Sequence, residues 1–61
     1  MTEIQKAYNR EYNNTMGLLH TLESMIEEHK KRIAKNNVDN GDIGDLNHVN
    51  KSLEEIIRFL S

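Results

Sequence analysis

The sequence predicts an all-α protein, an antiparallel helical hairpin with a long first helix and a short second helix. Three observations predict it: apolar residues recur at helical spacing in two stretches, a polar bend separates these stretches, and proline is absent. A chain of 61 residues is a single domain, 1–61, and is too small to bury much of its own surface. No cysteine is present to form a disulfide. We therefore expect a second copy to stabilise the fold, in a homo-oligomeric helical bundle such as a four-helix bundle.

The first helix is predicted from about residue 3 to about residue 35. Thr2 and Gln5 have the spacing of a capping box, in which each side chain accepts a hydrogen bond from the other residue's backbone N–H. The segment "NNTMG", residues 13–17, contains four poor helix formers, so we expect a kink or a frayed turn there rather than a full break. The apolar stripe of this helix repeats every three or four residues and consists of Ile4, Tyr8, Tyr12, Leu19, Leu22, Ile26, His29 and Ile33.

The second helix is predicted from about residue 45 to about residue 60, with Asp45 as its N-cap. Its apolar residues also recur every three or four positions and are Leu46, Val49, Leu53, Ile56 and Leu60. The bend, about 36–44, is rich in asparagine and glycine, which favour turn and left-handed conformations. It matches a calcium-binding loop at only two of the required positions, and its aspartates would repel a phosphate. We interpret the bend as a turn, with Ile43 packed beneath it.

The two helices differ in length, and this difference predicts an uncovered apolar surface. The second helix can cover only the second half of the first, so Ile4, Tyr8 and Tyr12 have no partner within the chain. Either this amino-terminal arm packs on another subunit or it folds back at "NNTMG". We favour packing on another subunit, because the arm and the hairpin share one continuous stripe.

Metal binding and catalysis are not expected from the sequence. The chain lacks the Glu-x-x-His pairs of di-metal helical bundles, and its histidines do not cluster by spacing. His29 lies on the apolar stripe, which favours a core or interface histidine over a metal ligand. No nucleophile motif is present, and two helices offer no deep pocket within one subunit. We expect no cofactor, no metal site and no enzyme activity.

Charge and hydropathy also narrow the choice of partners. The net charge is −2, and Glu27 and Glu28 offset the basic segment "HKKRIAK", which argues against a nucleic-acid partner. No stretch reaches the roughly 20 apolar residues of a membrane span, and the amino terminus lacks the apolar stretch of a signal peptide. We expect a cytoplasmic protein with no membrane partner.

The succession of a long helix, a polar bend and the amphipathic segment "GDIGDLNHVNKSLEEIIRFL", residues 41–60, resembles the small helical-hairpin proteins of bacteriophages. It is distantly similar to the hairpin domain of phage cyclic-nucleotide sponges. The resemblance implies an oligomer of hairpins that sequesters an immune signalling nucleotide between subunits, an anti-defence function. It also implies that His48, Lys51 and Arg58 of the second helix can reach a ligand.

Two functional hypotheses follow. The first is sequestration of a small signalling ligand, such as a cyclic nucleotide, at subunit interfaces. The second is a protein-interaction module or inhibitor, whose first helix lays its apolar stripe in a groove of a host protein. The residues expected to contact the ligand or partner are Tyr8, Arg10, Tyr12, His48 and Lys51. The two tyrosines offer flat surfaces for stacking or anchoring.

Overall fold

Two helices account for all the regular secondary structure in the computed structural model, which describes residues 2–35 and 38–61. Helix α1 runs over Glu3–Lys35 and helix α2 over Asn40–Leu60. Within these two segments, neither helix combines the length and the low charge that crossing a lipid bilayer requires.

Helix α1 has the predicted bounds and the predicted start. The backbone N–H of Thr2 donates to Gln5 Oε1 at 3.0 Å, and the N–H of Gln5 donates to Thr2 Oγ1 at 3.1 Å. These reciprocal bonds satisfy two donors that a helix start otherwise leaves unpaired. The helix continues unbroken through residues 13–17, where the Thr15 hydroxyl donates to the Glu11 carbonyl at 2.9 Å. The predicted kink there stays a prediction.

Helix α2 begins five residues earlier than the sequence interpretation placed it, at Asn40 rather than near Asp45. The N-cap is Asp39, whose Oδ1 accepts from the Asp42 N–H at 2.9 Å, while Asp42 Oδ2 accepts from the Asp39 N–H at 3.1 Å. This capping box stabilises the first turn, so Asp45 and Ile43 both lie inside the helix. No described residue has a positive φ, which corrects the left-handed turn expected at residues 39–41. Asn36 and Asn37, expected to contribute to that turn, lie outside the described residues.

The chain folds back on itself as a helical hairpin. Its longest dimension is 53 Å, close to the length of about 50 Å that α1 alone would have, so α2 does not extend the rod. The half-buried apolar side chains come from the two predicted stripes: Leu22, Ile26 and Ile33 on α1, and Val49 and Leu53 on α2. The two stripes therefore face each other over the second half of α1.

The contact between the helices is loose. Among the described residues, no two Cα atoms twelve or more positions apart lie within 8 Å of each other. The axes of closely packed helices lie about 8–10 Å apart. At that separation, many Cα pairs between the two helices are closer than 8 Å. No described side chain is fully buried, so a single hairpin has no closed core.

Candidate functional site

The first open apolar surface is the amino-terminal part of α1, residues 3–16, which we call the arm. Side-chain exposure falls steadily along its stripe, from 82% at Ile4 to 68% at Tyr8 and 54% at Tyr12. Tyr8 and Tyr12 are one helical turn apart and lie on the same face of α1. The arm thus presents two neighbouring aromatic rings to solvent.

Arg10 does not share that face. It lies two positions from each tyrosine in an unbroken helix, and at 100° per residue this places it about 160–200° around the axis from them. Residues two positions apart do not face each other on a helix. A ligand stacked on the tyrosines of one chain therefore cannot also pair with the Arg10 of that chain.

His48 and Lys51 lie away from the contact between the helices. Lys51 is two positions from both Val49 and Leu53, the half-buried apolar residues of α2, so it is on the opposite side of that helix from them. His48 is also exposed. A single hairpin therefore does not bring the five predicted contact residues together, and any site that uses them all requires more than one copy.

The second open apolar surface is the carboxyl end of α2. Ile56 and Leu60, predicted to lie on the stripe, are both exposed, and Phe59 beside them is 85% exposed. The sequence interpretation did not single out Phe59 because it lies one position off the three-four repeat. The arm and the carboxyl end of α2 are therefore both apolar and exposed.

A cleft of about 440 Å³ lies between the helices near the bend. Most of its wall consists of aliphatic side chains, those of Ile26, Ile33, Val38, Ile43 and Leu46. The remaining lining residues, His29, Lys30 and Asp42, add polar groups. Because Lys30 and Asp42 carry opposite charges, the charge of the cleft favours neither an anionic nor a cationic ligand.

At the edge of the cleft, His29 of α1 meets two aspartates of α2. His29 Nε2 lies 3.7 Å from Asp42 Oδ1 and 3.8 Å from Asp45 Oδ2. The His29 side chain is 18% exposed and that of Asp42 27%, whereas Asp45 is largely open to solvent. The sequence interpretation missed this group because it assigned Asp45 to the helix cap. The spacing of Asp42 and Asp45, three positions apart on one helix, was the available signal.

No protein-family model, curated protein or solved structure matches this chain. Its own surface therefore carries the functional argument, through the two open apolar surfaces and the histidine–aspartate cluster.

Proposed function

We propose that this chain is a non-catalytic, cytoplasmic binding protein that works as a homo-oligomer, with the apolar surfaces of its hairpins forming a shared core. The observation that carries this proposal is surface area. The chain exposes 5848 Å², whereas a compact monomer of its mass, 7.1 kDa, would expose about 4,100 Å². The excess of about 1,700 Å² is roughly twice the area that each partner buries in a standard protein interface.

A second copy of the chain is the occupant that best fits this surface. The stripe of the arm continues the stripe by which α1 meets α2, so both have the same side-chain spacing. In a two-fold dimer the same patch from each copy meets itself. Two hairpins paired through these stripes form a four-helix bundle, in which apolar positions of facing helices interdigitate. A net charge of −2 per chain opposes such pairing only weakly.

Sedimentation equilibrium and thermal unfolding, each over about a hundredfold range of protein concentration, test this proposal. We expect an oligomer mass at high concentration and a midpoint of unfolding that rises with concentration, because association stabilises the folded chain. A cooperative monomer whose midpoint does not change with concentration would contradict the proposal.

We further propose that the interface between copies binds a small signalling ligand, such as a cyclic nucleotide, in a phage-type anti-defence role. Tyr8 and Tyr12 support this proposal, since their rings share one open face on which a base can stack. The groups that would bind the phosphates, the positive Lys51 and the hydrogen-bonding imidazole of His48, would have to come from a neighbouring copy. Calorimetry against a panel of cyclic nucleotides, with a Tyr8→Ala/Tyr12→Ala variant as control, decides it: absence of heat with every nucleotide removes the ligand class.

The alternative is an interaction module or inhibitor that binds a host protein. Here the same stripe of the arm would lie in an apolar groove, with Ile4, Tyr8 and Tyr12 as anchors at successive helical turns. The uncovered length of the arm favours this alternative. A pull-down from host lysate discriminates when it is repeated with Tyr8→Ala/Tyr12→Ala and with Asn13→Ala, which alters the other side of the arm. Proteins retained equally by all three would not be bound through the stripe.

A further inference from the structure

The cluster of His29, Asp42 and Asp45 has the donor atoms of a metal site. It combines an imidazole nitrogen from α1 with carboxylate oxygens from two residues one turn apart on α2. All three donor atoms lie within 4.8 Å of one another. The donors are of two kinds and come from two helices. The cluster therefore forms only when α1 and α2 come together in the hairpin, and it is not a local charge pattern of one helix.

The carboxylate of Asp42 is oriented by the helix cap. Its Oδ2 accepts the backbone N–H of Asp39 at 3.1 Å, which leaves Oδ1 directed at His29. Hydrogen bonds of this kind fix the orientation of metal-binding side chains and are a regular part of protein metal sites. The capping box that starts α2 therefore also holds one donor in place.

We propose that His29 Nε2, Asp42 Oδ1 and Asp45 Oδ2 bind a divalent transition-metal ion of the zinc type, with water as a fourth ligand. Zinc accepts histidine nitrogen and carboxylate oxygen at about 2.0–2.2 Å in tetrahedral geometry, which places donors about 3.3 Å apart. The two separations from His29 Nε2, 3.7 and 3.8 Å, need to shorten by about 0.4–0.5 Å. The donor oxygens of the two aspartates lie within 4.8 Å of each other and need to approach by up to about 1.5 Å, which side-chain rotation of the exposed Asp45 can supply. Magnesium and calcium prefer sites made entirely of oxygen and more ligands than this cluster offers.

Metal binding at this position would hold the two helices together at the closed end of the hairpin. The ion would bind the folded hairpin in preference to the unfolded chain, and so would raise the stability of the fold. This inference is independent of the proposed function, because the metal-binding cluster lies apart from the arm and from the carboxyl end of α2.

The test is a titration of the full chain with zinc chloride, followed by calorimetry and by thermal unfolding, with magnesium chloride in parallel. We expect one zinc ion per chain, a higher midpoint of unfolding, and a much smaller effect of magnesium. His29→Gln and Asp45→Asn should each lower the zinc affinity at least about tenfold. Neither substitution touches the capping box, and far-UV circular dichroism without metal checks that both variants fold.

His20→Gln is the matched control, because His20 is an exposed histidine on the opposite face of α1 from His29, nine positions away. It should retain the zinc affinity of the unmodified chain. The absence of zinc binding, or an equal loss of affinity in His20→Gln and His29→Gln, would overturn the proposal. A stoichiometry of one ion per two chains would also overturn it, since the three donors belong to one chain.

The visible spectrum of the cobalt-substituted protein gives a second measurement that does not depend on stability. Cobalt in a site of low coordination number absorbs far more strongly than the hydrated ion. We expect these bands in the unmodified chain and in His20→Gln, and their loss in His29→Gln. Bands that persist in His29→Gln would place the metal elsewhere.

Discussion

Tyr8 separates a lone hairpin from an oligomer most clearly, because a single chain leaves 68% of it exposed. If the hairpin works alone, Tyr8→Ala removes almost no contact, and the better helix propensity of alanine makes the change neutral or slightly stabilising, by about 0.5 kcal/mol at most. If the arm packs on a second copy, the same change deletes a buried aromatic ring. The two arrangements therefore predict effects of opposite sign.

The size of the effect follows from the exposed area. A tyrosine offers about 200 Å² to burial, so the exposed fraction corresponds to about 135 Å² and, at about 25 cal/mol per Å², to about 3 kcal/mol per chain. Association realises only part of such a transfer energy. We expect a loss of about 1–3 kcal/mol per chain, which weakens self-association about fivefold to 150-fold for each chain.

Sedimentation equilibrium of Tyr8→Ala measures this loss, and Asn13→Ala is its matched control. Asn13 lies on the same arm, about 140° around the helix from Tyr8, and its replacement brings a similar gain in helix propensity without removing an apolar contact. We expect Asn13→Ala to associate as the unmodified chain does. An association constant of Tyr8→Ala equal to that of Asn13→Ala would refute burial of the arm between copies.

Three further predictions concern the helices themselves. Asp39→Ala should lower the free energy of unfolding by about 1 kcal/mol in thermal melts, whereas Asp45→Ala should cost less, because Asp39 and not Asp45 caps α2. A larger loss in Asp45→Ala would contradict that assignment. Gly44→Ala should raise the free energy of unfolding in the same melts by about 0.5–1 kcal/mol, since a Cβ there meets no atom within 4 Å and the backbone is helical. Helix content per chain, measured by far-UV circular dichroism, should increase with protein concentration. Constant helix content down to the monomer would show that the arm is helical without a partner.

The sequence predicted α1 well because two independent signals agree: the capping box at its start and the apolar period along its length. The start of α2 was harder to predict, because Gly41 and Gly44 each cost about 1 kcal/mol in a helix and resemble part of a loop. The capping box at Asp39 offsets part of that cost, and Ile43 and Leu46 line the apolar cleft between the helices.

The candidate sites likewise include one feature that local sequence spacing predicts and one that depends on the tertiary structure. The opposite facing of Arg10 and the tyrosines follows from helical spacing alone, so the sequence was sufficient to predict it. Helical spacing places Asp42 and Asp45 one turn apart, but the approach of His29 to them was not predictable from spacing, because His29 belongs to the other helix. Such a contact depends on the angle between the helices, which no local pattern specifies.

The loose hairpin and the open arm are two consequences of the same shortage of buried surface. Most of the stability of a protein helix comes from packing its apolar face, since even good helix formers are only marginally helical alone below about 12–15 residues. The segment "NNTMG" overlaps the end of the arm, and no described residue of the same chain covers the stripe of the arm, so we expect a contact from outside to stabilise its helical form. Because Tyr8 and Tyr12 share a face only while the arm is helical, association would also assemble the binding surface. Folding of the arm, association and ligand binding are then coupled, and each should strengthen the others.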